Sequence, residues 1–482
     1  MTESKPPAKF VSGDLILRNH PLAYVVETSR RSEICAYCFC SDASTKRCAK
    51  CKLTSYCTPE CQKKAWKEGH KLECEGMLRT EGKLSSFMQM LAQTVLRLKM
   101  GIDGEDPARN QTPFQRKFYD LASHWSEAKQ DQEIAIYIEK ASSTLAFYFS
   151  DPSFSEILQF DSLGEIYSRI KSNAYAIQGP TNEPLGHGVF LSAAKFDHSC
   201  RPNAAQSYDG PDMLVHAITD IPTLEDVRVT YTALNQPARL RRKFLKEHYF
   251  FDCECERCND PIHDAFLQSI ICSKNTCGEA VPFMAQRPGP YKCPDCGTKI
   301  PGQIIASAES LMSSAESAIR LMEDRMGKGD FRGAVQLADP IFRRAAGLLH
   351  PKNFVISSMS LTCSSVYTSL GDANMAFTFS QNALEGTTFA YPAKHIAIGS
   401  HLLQLIKLGL MLRASDSALW DDLEMLAASA LDIAAVSAGE GTTVYRKAQT
   451  LQGLVMQGSK LVVRRPRVAH HHDCGGCGGH DH

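Results

Sequence analysis

Cysteines near the middle of the chain have the spacing of a closed metal site. A C-x-C-x2-C group lies at 253–258, and Cys200 precedes it in the sequence. The group supplies three thiolates and Cys200 a fourth, which completes a tetrahedral zinc site with no open position. Such a site would hold the loop 196–203, where Pro202 disfavours a helix, against the aromatic segment 249–251.

A second set of cysteines lies near the N-terminus together with one histidine. Four pairs have C-x2-C, C-x2-C, C-x3-C and H-x3-C spacing, which is enough for two closed zinc sites. These eight ligands are Cys35, Cys38, Cys48, Cys51, Cys57, Cys61, His70 and Cys74. The spacing alone leaves open which four residues bind each ion.

A third cysteine set predicts a zinc-ribbon-like site with four thiolates. The two halves of the set are C-x4-C and C-P-D-C-G, and its members are Cys272, Cys277, Cys293 and Cys296. We expect this site to be structural, at the junction with the next domain; a binding role is the alternative. Cys40, Cys363, Cys474 and Cys477 belong to none of the sets, and Cys40 is expected to be a free thiol.

The composition restricts the function classes. The chain has 482 residues and 53 basic and 53 acidic side chains, so no global field favours nucleic acid or membrane. Nineteen cysteines without an N-terminal signal sequence indicate metal binding rather than disulfides. No apolar run reaches the roughly 18 residues of a spanning helix. These observations predict a protein of the cytoplasm and nucleus, with two to four domains.

Hydrophobic periodicity predicts the elements that position these residues. Two short strands are expected in 11–28, a helix in 59–74, and an amphipathic helix from Leu84. A second helical stretch is expected from Phe118 to about Phe149. The alternating segment 226–231 predicts a short strand that ends on a tyrosine.

The C-terminal third has the pattern of paired helices. From 304 to 463 the chain is rich in alanine, leucine, serine and methionine with helical spacing. Gly329-Asp330 and Gly371-Asp372 recur about forty residues apart, each before an apolar-periodic helix, which indicates degenerate tetratricopeptide-like (TPR-like) repeats. The tail 466–482, rich in His, Cys and Gly, is expected to be disordered.

The sequence resembles the SET and MYND domain (SMYD) family of protein-lysine methyltransferases. The segment D-H-S-C-R-P-N at 197–203 is similar to the family's signature loop, and C-x3-C-Q-K-K-x-W-x3-H-x3-C at 57–74 is similar to its MYND finger. The resemblance implies an α+β multidomain fold. In that fold a β-rich SET domain is split by the MYND finger and followed by a post-SET zinc site and a TPR-like helical domain.

The resemblance also implies domain boundaries and the metal partition. One zinc is bound by Cys35, Cys38, Cys57 and Cys61, the other by Cys48, Cys51, His70 and Cys74. The expected parts are partial SET strands at 1–34, the finger at 35–74, a helical insert at 75–165, the SET core at 166–251, the post-SET and ribbon region at 252–300, the helical domain at 301–465 and the tail at 466–482.

Site residues follow from the same resemblance. Tyr231 is expected to be the catalytic channel tyrosine. The expected contacts of the methyl donor S-adenosylmethionine are His124, Asn173, Asp197, His198, Tyr249 and Phe251. A structural asparagine is an equal alternative for Asn173, and a surface or core histidine is the alternative for His124.

Two departures from the family pattern bear on the donor site. Asp197 stands where the family has asparagine; an ionised carboxylate donates no hydrogen bond, but it attracts a cationic sulfonium. Family members usually open with a glycine-rich strand, whereas residues 1–9 contain no glycine. We therefore expect a truncated sequence, a short isoform, or donor binding that is weak or lost.

The leading functional hypothesis is S-adenosylmethionine-dependent methylation of lysines in histone or non-histone proteins. We expect the protein to be a monomer. The alternative is an adaptor with little or no activity that binds proline-rich or other peptides through its finger and helical domain and acts in transcriptional regulation. The finger is also basic, and a solvated surface is a simpler explanation than phosphate binding.

Overall fold

The structure is a computed structural model that describes residues 9–41, 43–283, 290–412 and 417–463. The tail with Cys474 and Cys477, and the first eight residues discussed above, lie outside these ranges. The described strands are β1 (Leu15–Asn19), β2 (Ala23–Val26), β3 (Lys46–Arg47), β4 (Ser55–Tyr56), β5 (Ala174–Gln178), β6 (Pro184–Val189), β7 (Asp197–His198), β8 (Ala204–Asp209), β9 (Asp212–Ala217), β10 (Arg228–Val229), β11 (Ile270–Ile271) and β12 (Ala280–Val281).

Helices make up most of the remaining described chain. They are α1 (Pro59–Ala65), α2 (Lys71–Arg79), α3 (Ser86–Lys99), α4 (Trp125–Ala128), α5 (Gln132–Phe149), α6 (Phe160–Asn173), α7 (Ala238–Tyr249), α8 (Pro261–Phe266), α9 (Gly302–Gly327), α10 (Phe331–Ala345), α11 (Phe354–Leu370), α12 (Ala373–Ala390), α13 (Ile396–Met411), α14 (Ser417–Ser437) and α15 (Thr443–Val463). None of the helices among the described residues is long and apolar enough to cross a membrane.

The β-rich part consists of two three-stranded antiparallel sheets and one parallel pair. The sheet orders are β1-β9-β8 and β2-β6-β5, and β7 pairs in parallel with β10. Their inward side chains, such as Leu17 and Val215, are fully buried in one core. Each such side chain contributes about 1.5–3 kcal/mol by leaving water. The two strands predicted in 11–28 are confirmed as β1 and β2.

The helix predicted in 59–74 is interrupted. After α1 the chain makes a π-helical turn at Trp66–His70, and α2 begins at Lys71. Gly69 has φ 137°, a backbone conformation that residues other than glycine rarely adopt, so the kink lies at this residue. Thr58 caps α1 by accepting a hydrogen bond from the Cys61 N–H.

The helical insert is also more divided than predicted. The amphipathic helix from Leu84 is confirmed as α3, but the stretch 118–149 consists of a 3₁₀ turn followed by α4 and α5. Asp131 starts α5 afresh by capping two N–H groups. The start of the predicted SET core, at 166, is helical up to Asn173, and the strand β5 begins only at Ala174.

The strand predicted at 226–231 is shorter than expected. Leu224–Asp226 form a 3₁₀ turn, and only Arg228–Val229 pair with β7. Tyr231 follows the strand, because its N–H is bonded by the His198 ring and not by a neighbouring strand. Tyr231 therefore lies two residues beyond the end of the strand.

The C-terminal part is a stack of antiparallel helix pairs from α9 to α15. Both predicted repeat turns are present: Gly329 and Gly371 each have φ 77°, and Asp330 and Asp372 cap α10 and α12. The hairpin β11–β12 packs its Val281 into the same core as α9–α11. The predicted fold class, an α+β protein with a zinc finger and a helical C-terminal domain, is confirmed.

Candidate functional site

The structure brings the predicted metal ligands together in four separate groups. Within each group the ligand atoms lie within 4.8 Å of one another. The groups are Cys35, Cys38, Cys57 and Cys61; Cys48, Cys51, His70 and Cys74; Cys200, Cys253, Cys255 and Cys258; and Cys272, Cys277, Cys293 and Cys296. The first two groups interleave along the chain, as the family resemblance implied.

The sulfur spacings fit zinc rather than disulfides. The Sγ–Sγ distances are 3.5 Å for Cys38–Cys57, 3.5 Å for Cys200–Cys258 and 3.7 Å for Cys277–Cys293. A tetrahedral ion with bonds of about 2.3 Å separates two sulfurs by about 3.8 Å, whereas a disulfide brings them to about 2.05 Å. Each group offers four ligands, so zinc would have a structural role with no position left for a reacting water.

A chain of polar groups joins the finger to strand β2. His70 Nδ1 lies 3.8 Å from a carboxylate oxygen of Glu73, and Gln93 donates to the other oxygen at 2.8 Å. The Gln93 carbonyl in turn accepts from the backbone N–H of Tyr24 in β2. Such a carboxylate orients a histidine ligand and raises its basicity. The sequence signal was the H-x2-E spacing, which places Glu73 one turn beyond His70 on the helix.

Two buried arginines, Arg241 and Arg257, contact the Cys200 group, and neither contact was predicted from the sequence. Arg241 has no exposed surface; its Nε lies 3.2 Å from Cys200 Sγ and an Nη lies 3.5 Å from Cys258 Sγ. Four thiolates with one zinc ion would carry a net charge of −2, which the guanidinium partly offsets. The available signal was the spacing on α7, where Arg241 shares the buried face with Ala238 and Leu245.

Arg257 ties the same group to the helical domain. One of its Nη atoms donates to the carbonyls of Cys200 and Ala390, at 3.0 and 2.6 Å, and the other donates to the Leu234 carbonyl. The next residue, Tyr391, accepts a hydrogen bond from the Leu234 N–H. The corner after α12 is therefore fixed against the signature loop.

Tyr231 lies in a cavity of about 550 Å³ between strands β5 and β8 and the C-terminal helices. Its ring is 4.9 Å from that of Tyr249, and Tyr175, Tyr208 and Tyr391 line the same cavity. The Tyr231 hydroxyl donates to the Phe196 carbonyl at 2.5 Å, so its lone pairs remain available as acceptors. Burial raises the pKa of this phenol above its ordinary value, and the nearby Asp197 carboxylate adds to the shift.

The predicted donor-contact residues are only partly assembled. The His198 ring lies 5.4 Å from the Tyr231 ring and 6.0 Å from the Phe251 ring. Its two nitrogens are engaged: Nδ1 accepts from the Tyr231 N–H and Nε2 lies 3.2 Å from Cys200 Sγ. His198 therefore presents only its ring face and edge to a ligand. Burial lowers the pKa of this imidazole to about 4, so the ring is neutral.

His124, Asn173 and Asp197 do not line the Tyr231 cavity, and Asp197 lines a separate cavity of about 160 Å³. His124 stacks on Phe250, with ring centroids 4.3 Å apart, and not on Tyr249 or Phe251. The Asn173 amide donates to the carbonyls of Ala122 and Arg169. These hydrogen bonds correspond to the structural alternative for this asparagine.

Aromatic faces and one carboxylate suit an adenine ring and a sulfonium group. Phe250 is 52% exposed and adopts φ 62°, so its ring is presented at the surface beside His124. Asp197 is exposed on β7, and none of the ion pairs among the described residues engages it. A cation is attracted both by an unpaired carboxylate and by aromatic faces.

Comparisons with known proteins agree with this architecture. The family model of the MYND finger matches residues 35–74. Histone-lysine N-methyltransferase SMYD3 of Mus musculus is 27% identical over 256 residues, covering 52% of this chain and 58% of SMYD3. N-lysine methyltransferase SMYD2 of Sus scrofa is 30% identical over 251 residues, covering 52% of this chain and 56% of SMYD2.

A longer match covers most of both chains. N-lysine methyltransferase SMYD2-A of Danio rerio is 25% identical over 394 residues, covering 75% of this chain and 84% of its own length. The chain spans a little over half the length of SMYD3 and SMYD2. These aligned stretches are several times longer than the finger, so the similarity of this chain to SET and MYND domain (SMYD) proteins extends beyond the finger itself.

Proposed function

We propose that this chain is an S-adenosylmethionine-dependent protein-lysine N-methyltransferase. The observation that carries the proposal is the position of Tyr231, which lines an uncharged cavity and lies against a loop held by the Cys200 group. Of the described residues that line this cavity, none is Asp, Glu, Lys or Arg. The relatives named as lysine methyltransferases support the same assignment.

The cavity would favour the neutral form of a lysine amine, which is the nucleophilic form. Burial without a carboxylate partner disfavours an ammonium ion and lowers its pKa. The histidine of the cavity, His395, is no exception, because burial lowers its own pKa to about 4 and it stays uncharged. The aromatic walls accommodate the aliphatic part of the lysine side chain.

Tyr231 would orient the amine. Since its proton is held by the Phe196 carbonyl, its oxygen accepts a hydrogen bond from the amine N–H, which directs the nitrogen lone pair away from the ring. S-adenosylmethionine supplies a methyl group on a positively charged sulfur. The contribution of the chain is alignment and oxygen dipoles around the transferred carbon. The Asp197 carboxylate and the faces of Tyr249 and Phe251 would favour the positive charge on the donor side.

The loop geometry depends on the Cys200 group. His198 joins it from both sides, through Cys200 Sγ and through the Tyr231 N–H. Zinc bound there would fix the position of Tyr231 relative to β7. In this proposal the thiolates of the Cys200 group hold the loop and the Asp197 carboxylate attracts the positive charge of the donor, and neither forms a bond to the methyl group.

The test is methyl transfer to lysine-containing acceptor proteins by the zinc-loaded chain, detected by mass spectrometry. We expect methylated lysine with the native chain and a loss of about 10²-fold or more with Tyr231→Phe, which keeps the ring and removes the oxygen. Tyr119→Phe, an exposed tyrosine outside the cavity, is the matched control. Donor binding without transfer to any acceptor would favour the adaptor alternative.

A further inference from the structure

The cavity around Tyr231, here called the central cavity, borders two further cavities, with each of which it shares lining residues. The turn between β5 and β6, residues 179–183, stands where the three meet. One side cavity, the helical arm, has about 410 Å³ and shares Asn182, Tyr391 and Ser400 with the central cavity. All these volumes lie within the range of about 300–1,000 Å³ that is typical of ligand sites.

The second side cavity, the finger arm, has about 540 Å³ and shares Gln178, Gly179 and Tyr208 with the central cavity. It lies between the finger, near Cys40, and the start of α15. The helical arm lies on the other side of the turn, against α11 and α13. An extended peptide whose side chain enters the central cavity therefore has room for its two flanks in two different arms.

The carboxylates of the arms are already engaged by their own neighbours. Glu183, at the tip of the turn, accepts from the N–H and the hydroxyl of Thr181. Asp209 accepts from the N–H and hydroxyl of Thr443 and from Arg18. These carboxylates keep their negative charges, but their oxygens already accept hydrogen bonds from the protein and are held in place by them.

The lysines of the arms are not engaged in this way. Lys407 on α13 lines the helical arm, and Lys447 on α15 lines the finger arm. Within the described residues neither ammonium has an ion-pair partner, whereas Arg446 beside Lys447 is bonded to the Gly441 carbonyl. Each arm therefore presents one lysine ammonium that has no ion-pair partner in the described part of the chain, next to an uncharged central cavity.

We propose that the two arms are the subsites for the flanks of the substrate, and that they select lysines with acidic side chains on both sides. This inference rests on the proposed lysine methyltransferase function and adds the substrate class. Lys407 and Lys447 are its specificity-determining residues, one for each flank. Attraction between an arm lysine and a peptide carboxylate is favoured by charge complementarity and weakened by salt.

The experiment uses four fluorescent peptides that share a central lysine. Their flanks are acidic on the N-terminal side only, on the C-terminal side only, on both sides, or glutamine throughout. Fluorescence anisotropy with the zinc-loaded full chain measures binding without requiring methyl transfer. We expect the doubly acidic peptide to bind about three- to tenfold more tightly than the glutamine peptide at low salt, and this ratio to shrink at high salt.

Charge reversal assigns each arm to a flank. Lys407→Glu should weaken binding of one singly acidic peptide about threefold or more and leave the other unchanged, and Lys447→Glu should do the reverse. Lys140→Glu is the control, since Lys140 is exposed on α5, outside all three cavities. The proposal is overturned if the two arm variants affect both peptides alike, or if the glutamine peptide or one with basic flanks binds as tightly.

Failure of this inference is distinct from failure of the proposed function. Peptides methylated equally well whatever their flanks would refute the specificity and retain the methyltransferase. Flank-dependent binding without donor binding or transfer would instead retain the two subsites and refute the enzyme.

Discussion

Removal of the Arg241 guanidinium is the most informative perturbation of the post-SET group. Arg241→Met keeps a side chain of similar length but leaves Cys200 and Cys258 without these N–H donors and removes one of the two buried positive charges beside the group. Breaking one side of a buried charge pair typically costs about 3–5 kcal/mol. We therefore expect a loss of that size in the free energy of unfolding.

Zinc affinity should fall separately from stability. Loss of groups that support the ligands commonly lowers metal affinity about 10- to 100-fold, which is about 1.4–2.7 kcal/mol. The assays are denaturant unfolding of the zinc-loaded chain and competition with a chromophoric chelator. Arg241→Lys should give an intermediate zinc affinity, because it keeps the charge and loses the planar set of donors.

Lys243→Met on the same helix is the matched control. Lys243 is 64% exposed and 3.8 Å from Glu247, so its removal should cost less than about 0.5 kcal/mol and leave zinc binding unchanged. Wild-type zinc affinity in Arg241→Met would refute the view that this arginine balances the charge of the thiolates.

Three further predictions test other parts of the structure. Glu73→Gln should lower the zinc affinity of the group that contains His70 about tenfold or more, measured by chelator competition, while Glu75→Gln, an exposed neighbour, should not. A strong chelator should lower the thermal transition of the whole chain, because zinc binding is part of the folding free energy; an unmoved transition would contradict the four metal sites. Burial lowers the pKa of His401 to about 4, below its unfolded value of about 6.5, so between these pH values only the unfolded chain binds the proton and the free energy of unfolding falls as the pH falls. In denaturant unfolding at pH 7.5 and 5.5, His401→Gln should reduce this loss of stability. An unchanged pH dependence would contradict this prediction.

Metal ligands were the most predictable part of the site. Cysteine spacings such as C-x-C-x2-C are imposed by the coordination geometry itself, so Cys200 and the group at 253–258 meet in space although they are far apart in sequence. Helix starts were similarly predictable where a capping residue marks them, as at Asp330 and Asp372.

The residues that connect the domains were not predictable. Arg257 donates to Ala390, which is distant in the chain, and nothing about a lone arginine between cysteines indicates that partner. The π-helical turn at Trp66–His70 and the early end of the strand at Val229 depend on tertiary contacts of His70 and Tyr231. Local periodicity contains no information about either contact.

Binding of the methyl donor is the most direct test of the proposed function. Titration of S-adenosylmethionine into the zinc-loaded 482-residue chain by calorimetry measures donor binding in the absence of any acceptor. We predict saturable heat in the micromolar range, and a strongly weakened signal for Phe251→Ala, which removes an aromatic face and leaves every metal-ligating residue in place. A folded, zinc-replete chain that gives no heat of binding would contradict the methyltransferase assignment.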